Sequence, residues 1–365
     1  VTMVVLIGAD VHKNSHTFVA VDAAGKQIGQ ITVRATHSGH EKAYRWARKS
    51  FIEQDRQWGV EDCRHLTGLL ERDLLAHGEP VVRVPAKLMA RQRATARTRG
   101  KSDPIDALAV ARAMAREDDL PVAFTDEQAR EIKLVLARRE DLVAERTRVI
   151  NRLRWHLHEL DPEVDPAPRA LTHRPAQERV RELVEASEGI VAEIAGMVLA
   201  DLERLCSSIS ELDARLRVMV REVEPVLLEI PGCAELSAAK ILAETAGIER
   251  FANEGKYAMF AGCAPIPVWS GKTEGRVRLN RGGNRQLNCA IHRIALTQVR
   301  LEGPGKEYYD RLREQGKTVM EALRCLKSAI ARRIWRALTR AHAEALATTP
   351  IPLNPTSTTC VPQAA

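Results

Sequence analysis

A mixed α/β domain at the N-terminal end, followed by long helices, is the fold class predicted by this 365-residue sequence. Three observations predict it. Strand-length apolar runs alternate with helical segments over the first 85 residues or so, and heptad seams run between residues 127 and 226. In the last third, Gly- and Pro-rich turns separate further helical segments.

Residues 3–9, 16–22 and 27–34 read as strands, the first a continuous buried run and the other two joined by the turn Asp22-Ala23-Ala24-Gly25-Lys26. Residues 40–52 are helical in composition, 57–61 a strand, 66–76 a helix ending before Gly78, and 80–84 a strand. The order βββαβαβα sets helices against a mixed sheet. It resembles the ribonuclease H-like fold of the resolvase (RuvC-like) type, with acids at the ends of the first and fourth strands and on a later helix.

That later helix opens at Lys101-Ser102-Asp103-Pro104-Ile105-Asp106. Pro104 favours a first helical turn, so Asp103 and Asp106 share one face. Asp10 follows the apolar run from Val4 to Ala9, and Glu61 follows Trp58-Gly59-Val60, each where a buried strand delivers its side chain to a sheet edge. The DxxD pair alone reads more readily as an N-capping Asp103 with a solvated Asp106. Together with the strand-end acids it points to a metal site, because carboxylates crowded at one point need a cation and all-oxygen sets suit magnesium. His12, His16 and His65 lie nearby in sequence and read as surface or supporting groups outside the ligand set.

From residue 127 to 160 a long helix carries Leu136, Val143, Ile150 and Leu157 at intervals of seven, while the companion positions include Arg139 and Arg146. A proline-rich joint with Pro162, Pro166, Pro168 and Pro175 follows. A second seam runs from Val198 through Leu202, Leu205, Ile209, Leu212, Leu216, Met219 and Val223 to Val226. This is an α-helical coiled coil, antiparallel within one chain or mated with another subunit, with Trp155 packed inside it. The stretch Leu228 to Leu242, turning at Pro231-Gly232, resembles a helix-hairpin-helix element in a mostly α-helical C-terminal domain; an ordinary αα-hairpin fits equally. A Gly- and Pro-rich loop from Phe260 to Lys272 precedes helices over 284–302 and 319–346, and residues 348–365 read as a disordered tail. The expected divisions are 1–122, 123–226, 227–347 and 348–365.

Lys plus Arg number 55 against 48 Asp plus Glu, for a net charge of +7. Seven basic residues and no acid lie between Arg83 and Lys101, with two further basic runs over Lys272–Arg300 and Lys317–Arg340. Such runs suit a phosphate backbone, so nucleic acid is the expected partner. The candidate contacts are Arg83, Lys87, Arg91, Arg93, Arg97, Arg99 and Lys101, then Lys272, Arg276, Arg278, Arg281, Asn284 and Arg285. The seven cysteines are scattered without a CxxC pair, which argues for reduced thiols rather than a disulfide framework or zinc site. The N-terminal apolar run is too short for a signal segment, and no 18-residue apolar run occurs, so the expectation is a cytoplasmic protein with no membrane partner.

These stretches together resemble the insertion-sequence 110 family of DNA transposases, from about residue 4 to about 340. The resemblance implies a DEDD set at Asp10 in IGADVHK, Glu61 in WGVED, and Asp103 and Asp106 in GKSDPIDALAVARA. It also implies a Ser-Gly element at Ser270 in APIPVWSGKT and a Gly-Asn element at Gly283 and Asn284 in LNRGGNRQLN. What it implies for activity is excision and insertion of the element through Mg2+ of unspecified number and a serine nucleophile that forms a covalent phosphoserine link. The implied partners are DNA, a structured bridge RNA as guide, and a homo-oligomer, dimer or tetramer. Two other readings remain open on the residues alone: a metal-dependent junction endonuclease in which water attacks, and a non-catalytic nucleic-acid-binding scaffold.

Overall fold

The computed structural model describes residues 4–61, 64–86, 88–89, 102–117, 120–124, 126–274, 277–279 and 282–348. The chain divides into two compact units, Val1–Asp126 and Glu127–Ala365.

The first unit is built on a five-stranded sheet. Its strands are β1 (Val4–Val11), β2 (Ser15–Val21), β3 (Gln27–Arg34), β4 (Asp55–Glu61) and β5 (Val81–Val84), in the order β3-β2-β1-β4-β5. β1 pairs antiparallel with β2 and parallel with β4, while β2–β3 is antiparallel and β4–β5 parallel. That mixed order fits a ribonuclease H-like domain. Helices α1 (His37–Ser50), α2 (Arg64–Ala76) and α3 (Asp103–Met114) complete the unit.

Strand pleating sends alternate residues of β1 to opposite faces. Val5, Ile7, Ala9 and Val11 pack with Ala43 and Ala47 of α1 and Leu70 and Leu74 of α2. Leu6 packs on the other face with Ala107, Val110, Ala111 and Met114 of α3. Each face thus has its own helix layer, which explains why β1 and β2 read as nearly continuous apolar runs.

In the second unit α4 (Glu127–Leu160) and α6 (Ile190–Val223) lie along each other. Ile132 and Leu136 share a cluster with Leu216 and Val220, whereas Leu153 and Leu157 share one with Ala195, Val198 and Leu199, so the two helices run antiparallel within one chain. Arg139, at the polar middle of the first seam, pairs with Asp213 of α6, so the charge there is matched across the helix pair. Trp155 departs from expectation: it is 74% exposed, on the side of α4 away from the seam. The joint also holds a helix that the prolines did not announce, α5 (Arg174–Glu185), which starts with Pro175 in its first turn and packs on α6.

The remaining elements are α7 (Glu235–Thr245), α8 (Glu254–Phe260), the short strands β6 (Pro265–Pro267) and β7 (Val277–Leu279), α9 (Arg285–Arg300), α10 (Pro304–Glu314) and α11 (Val319–Thr348). Ahead of α7 the first arm of the expected helix-hairpin-helix is only a five-residue 3-10 helix, Pro225–Glu229. Its turn packs inward: Gly232 has φ +80°, and a Cβ there would stand 3.0 Å from Thr297 Cβ on α9. Gln298 donates to the Pro231 carbonyl at 2.7 Å, and the Cys233 N–H donates to Ile230 O at 2.9 Å, so this turn is spent on packing. No described helix is long and apolar enough to cross a membrane, and Cys206, Cys233, Cys263, Cys289 and Cys325 are free thiols.

Candidate active site

Two glycines decide where α3 lies. A Cβ at Gly8 would meet Ala107 O at 2.2 Å and Ala111 N at 2.4 Å, and one at Gly59 would meet Met114 Sδ at 2.1 Å. Helix and sheet therefore touch backbone to backbone at β1 and backbone to side chain at β4. The pleat puts Asp10 on the same face as Gly8 and Glu61 on the same face as Gly59. Register carries Ala9 opposite Val60, so Asp10 and Glu61 follow on neighbouring strands at the same edge. The first turn of α3, with Pro104 fixing its start after Ser102, supplies Asp103 and Asp106.

Asp10 and Asp103 are bridged by an imidazole. His12 Nε2 lies 3.1 Å from Asp10 Oδ2 and 3.5 Å from Asp103 Oδ1. Ligand atoms of Asp10, His12 and Asp103 all lie within 4.8 Å of one another, close enough to hold a metal ion. Asp106 is buried behind them at 7% exposure. Burial raises the Asp10 carboxyl above its ordinary range, and the nearby Asp106 and Asp103 charges add to the rise while His12 opposes it. Unfavourable carboxylate charge at a rim, two oxygen donors and one nitrogen are the chemistry of a divalent-cation site. Glu61 sits at the same sheet edge but outside that group of ligand atoms.

The sequence reading kept His12 outside the ligand set, and the structure brings its ring within reach of both Asp10 and Asp103. The signal was available: residues 10 and 12 are two apart in extended chain, and the His12 N–H donates to Ser15 O at 3.0 Å, prolonging the β1–β2 hairpin beyond Val11. His16 is buried at 2% exposure with its ring stacked on His40 at 5.0 Å between centroids, well inside the domain.

Ser270 lies on the hairpin between β6 and β7 in the second unit. Pro265, Ile266 and Pro267 pair with Leu279, Arg278 and Val277; in so short a ribbon the two prolines withhold donors at an edge without breaking a wider sheet. Trp269 is 52% exposed and Ser270 is exposed, followed by Gly271 at φ +41° and a 3-10 turn to Thr273. The hairpin base is fastened to the end of α8 by the Gly-Asn element. Gly283 has φ +90°, and a Cβ there would come within 2.7 Å of Phe260 O and Gly262 N. The next residue, Asn284, donates its N–H to Phe260 O at 2.6 Å.

Two expected nucleic-acid contacts have other employment. Arg83 is 11% exposed and pairs with buried Glu71 at 2.5 Å. The Asn284 side chain caps α9 by accepting from Leu287 N at 2.9 Å and donates to Glu244. Both are drawn inward because a buried carboxylate or an open helix end needs a partner. Lys272, Arg278 and Arg285 are exposed. Lys87, Arg91, Arg93, Arg97, Arg99, Lys101, Arg276 and Arg281 lie outside the described residues, as do Cys63, Cys360 and the expected tail beyond Thr348.

The DEDD transposase model of IS110-type elements matches residues 7–162, and the model of the transposase IS116/IS110/IS902 family matches residues 224–310. A 44.8 kDa protein of insertion element IS116 from Streptomyces clavuligerus is 26% identical over 87% of this chain and 90% of its own length. A 42 kDa protein of insertion element IS900 from Mycobacterium paratuberculosis is 27% identical over 78% of this chain and 83% of its own length. Among solved structures, T. thermophilus RuvC in complex with Holliday junction substrate aligns at 12% identity and a TM-score of 0.26, over 33% of this chain and 99% of RuvC. Strand order and register, rather than that alignment, carry the fold of the first unit. With one family model over the acid-bearing unit and α4 and the other over α7, α8, the serine hairpin and α9, the chain belongs to the IS110 family of transposases.

Proposed function

We propose that this transposase is an RNA-guided DNA recombinase that excises and inserts its element through Ser270. The observation that carries this reading is the grouping of Asp10, His12 and Asp103, backed by Asp106, at the sheet edge of a chain that also presents Ser270 on an exposed hairpin. Asp10, Asp103 and His12 would hold the ion, with Asp106 and Glu61 at the same edge. Mg2+ is the proposed occupant, and the imidazole also admits transition-metal ions. When bound, such an ion offsets the charge that builds on phosphoryl oxygens during displacement.

The chain's own residues account for the rest. Ser270 Oγ attacks phosphorus; as the Oγ–P bond forms and one P–O bond of the strand breaks, the hydroxyl loses its proton and the departing oxygen gains one. Gly271 leaves that hydroxyl with little steric cover, and Lys272 and Arg278 are candidate cations for the phosphate. Guide-RNA binding is assigned to the basic run from Lys87 to Lys101, on the grounds of its uninterrupted charge and the family resemblance. Subunits are proposed to associate so that serine and acids of different copies collaborate.

The test is the Ser270→Ala variant. With the acids intact it should abolish strand transfer and leave no protein–DNA adduct, whereas wild-type protein should yield a DNA-linked peptide mapping to Ser270. Cleavage by Ser270→Ala at a near-normal rate would make water the nucleophile and sink the serine mechanism.

A further inference from the structure

A cavity of about 350 Å³ opens beside the base of the serine hairpin, wholly within the second unit. Pro265, Val277 and Arg278 of the hairpin form one wall, helix α11 another, and Tyr308 of α10 a third. Its surface is mainly apolar, with Ala264 and Ala329 adding to the floor, yet its charge is one-sided: Arg278, Lys317, Arg324 and Arg332 face a single acid, Glu321.

The acid is already engaged. Glu321 Oε2 accepts from the Thr318 N–H and hydroxyl, both at 2.8 Å. Arg332 lies 3.9 Å from Glu254. Among the described residues Arg278, Lys317 and Arg324 form no ion pair. The Arg311 guanidinium, which is not part of the cavity wall, lies over the Tyr308 ring at 5.3 Å from its centroid. A mainly apolar lining with an aromatic ring and a rim of net positive charge, in which Glu321 offsets only part of the Lys317 and Arg324 charge, calls for a ligand that is apolar and aromatic at one end and anionic at the other. Small-molecule sites begin at about 300 Å³, so the space takes one such unit and no base pair.

We propose that this cavity receives a single unpaired nucleotide, its base against Tyr308 and its phosphate on Arg278, Lys317 and Arg324. The proposal rests on the transposase reading, and it deepens that reading by adding a subsite next to the nucleophile: Ser270 follows Pro267 of the cavity-bearing hairpin by three residues. A nucleotide held there steadies the strand that presents its phosphate to the hairpin. The base must leave a duplex stack to enter, which restricts the site to single-stranded or distorted nucleic acid.

Fluorescence anisotropy on the full-length protein tests this with three probes of one mixed sequence: a short labelled DNA strand, the matching RNA strand and the fully paired duplex. Tyr308→Leu and Arg324→Ala should each weaken single-strand binding about tenfold, the scale of losing one stacked base, and duplex binding less than about twofold. Tyr308→Phe keeps the ring and should bind as wild type. Loss confined to the DNA strand, to the RNA strand, or shared by both identifies the source of the nucleotide. Wild-type affinity of folded Arg324→Ala for both single strands, or an equal loss on the duplex, overturns the proposal. Arg324 is exposed, so that variant remains informative where Tyr308→Leu fails to fold. Binding is read without strand transfer. An intact Ser270 adduct with unaffected binding removes only the cavity assignment, and the converse removes only the serine mechanism.

Discussion

Asp10 combines two roles that pull against each other, since it ends a buried strand and is nonetheless a charge. Its raised carboxyl means that, without a cation, ionisation there opposes folding. Asp10→Asn should therefore raise the melting temperature of metal-free protein while cancelling the further rise produced by magnesium or manganese. A melting temperature unchanged on mutation, with the metal-induced rise intact, would remove Asp10 from the ligand set. His16 makes the complementary case. Burial, and then the neighbouring His40, lower its pKa from 6.5 to about 4. The unfolded chain binds that proton more readily, so stability is full above pH 6.5 and falls as pH drops toward 4, by about 3 kcal/mol in total. Urea titrations across that range should show the slope, and His16→Gln should flatten it. Neither effect was legible in the residues alone: strand periodicity announces an acid or a histidine, but burial and a stacked neighbour set its charge.

At the scale of elements, the strands and long helices fell close to where periodicity put them, because a period of two or of 3.6 is a local property of the chain. Residues 127–160 form one helix with the bounds that the pattern gave. What periodicity blurred was rotation about the helix axis. Leu157 is fully buried while Trp155, two residues away, is exposed. Leu157→Ala should destabilise by about 2–5 kcal/mol and Trp155→Ala by no more than about 0.5 kcal/mol, a contrast that thermal or denaturant melts can read. Equal losses would mean that Trp155 is covered in solution. The helices α5 and α10 escaped notice because each begins at a proline beside a turn, where breaker and helix-start signals coincide.

For the whole molecule, acids and serine belong to different units of the chain. If the working site draws them from different subunits, mixing Ser270→Ala with Asp106→Asn protein should restore part of the strand transfer that each variant lacks. At equal ratios a fraction of assemblies would then hold one complete set. No recovery after co-refolding would confine each site to one chain and leave the serine assignment standing.

The sequence by itself determined the element order, the acids at two strand ends and one helix start, the serine beside a glycine and the family resemblance, since all of these are carried by spacing and residue type. Only the tertiary structure decided the rest. It brought His12 to the acids, because residues two apart in extended chain share a face and α3 brings Asp103 beside that ring. It withdrew Arg83 and Asn284 from the basic surface, because buried Glu71 and Glu244 and the start of α9 required their donors and acceptor. And it turned Gly232 inward against α9, because the same glycine signature serves a phosphate-binding turn or a close helix contact, and only the neighbour in space tells them apart.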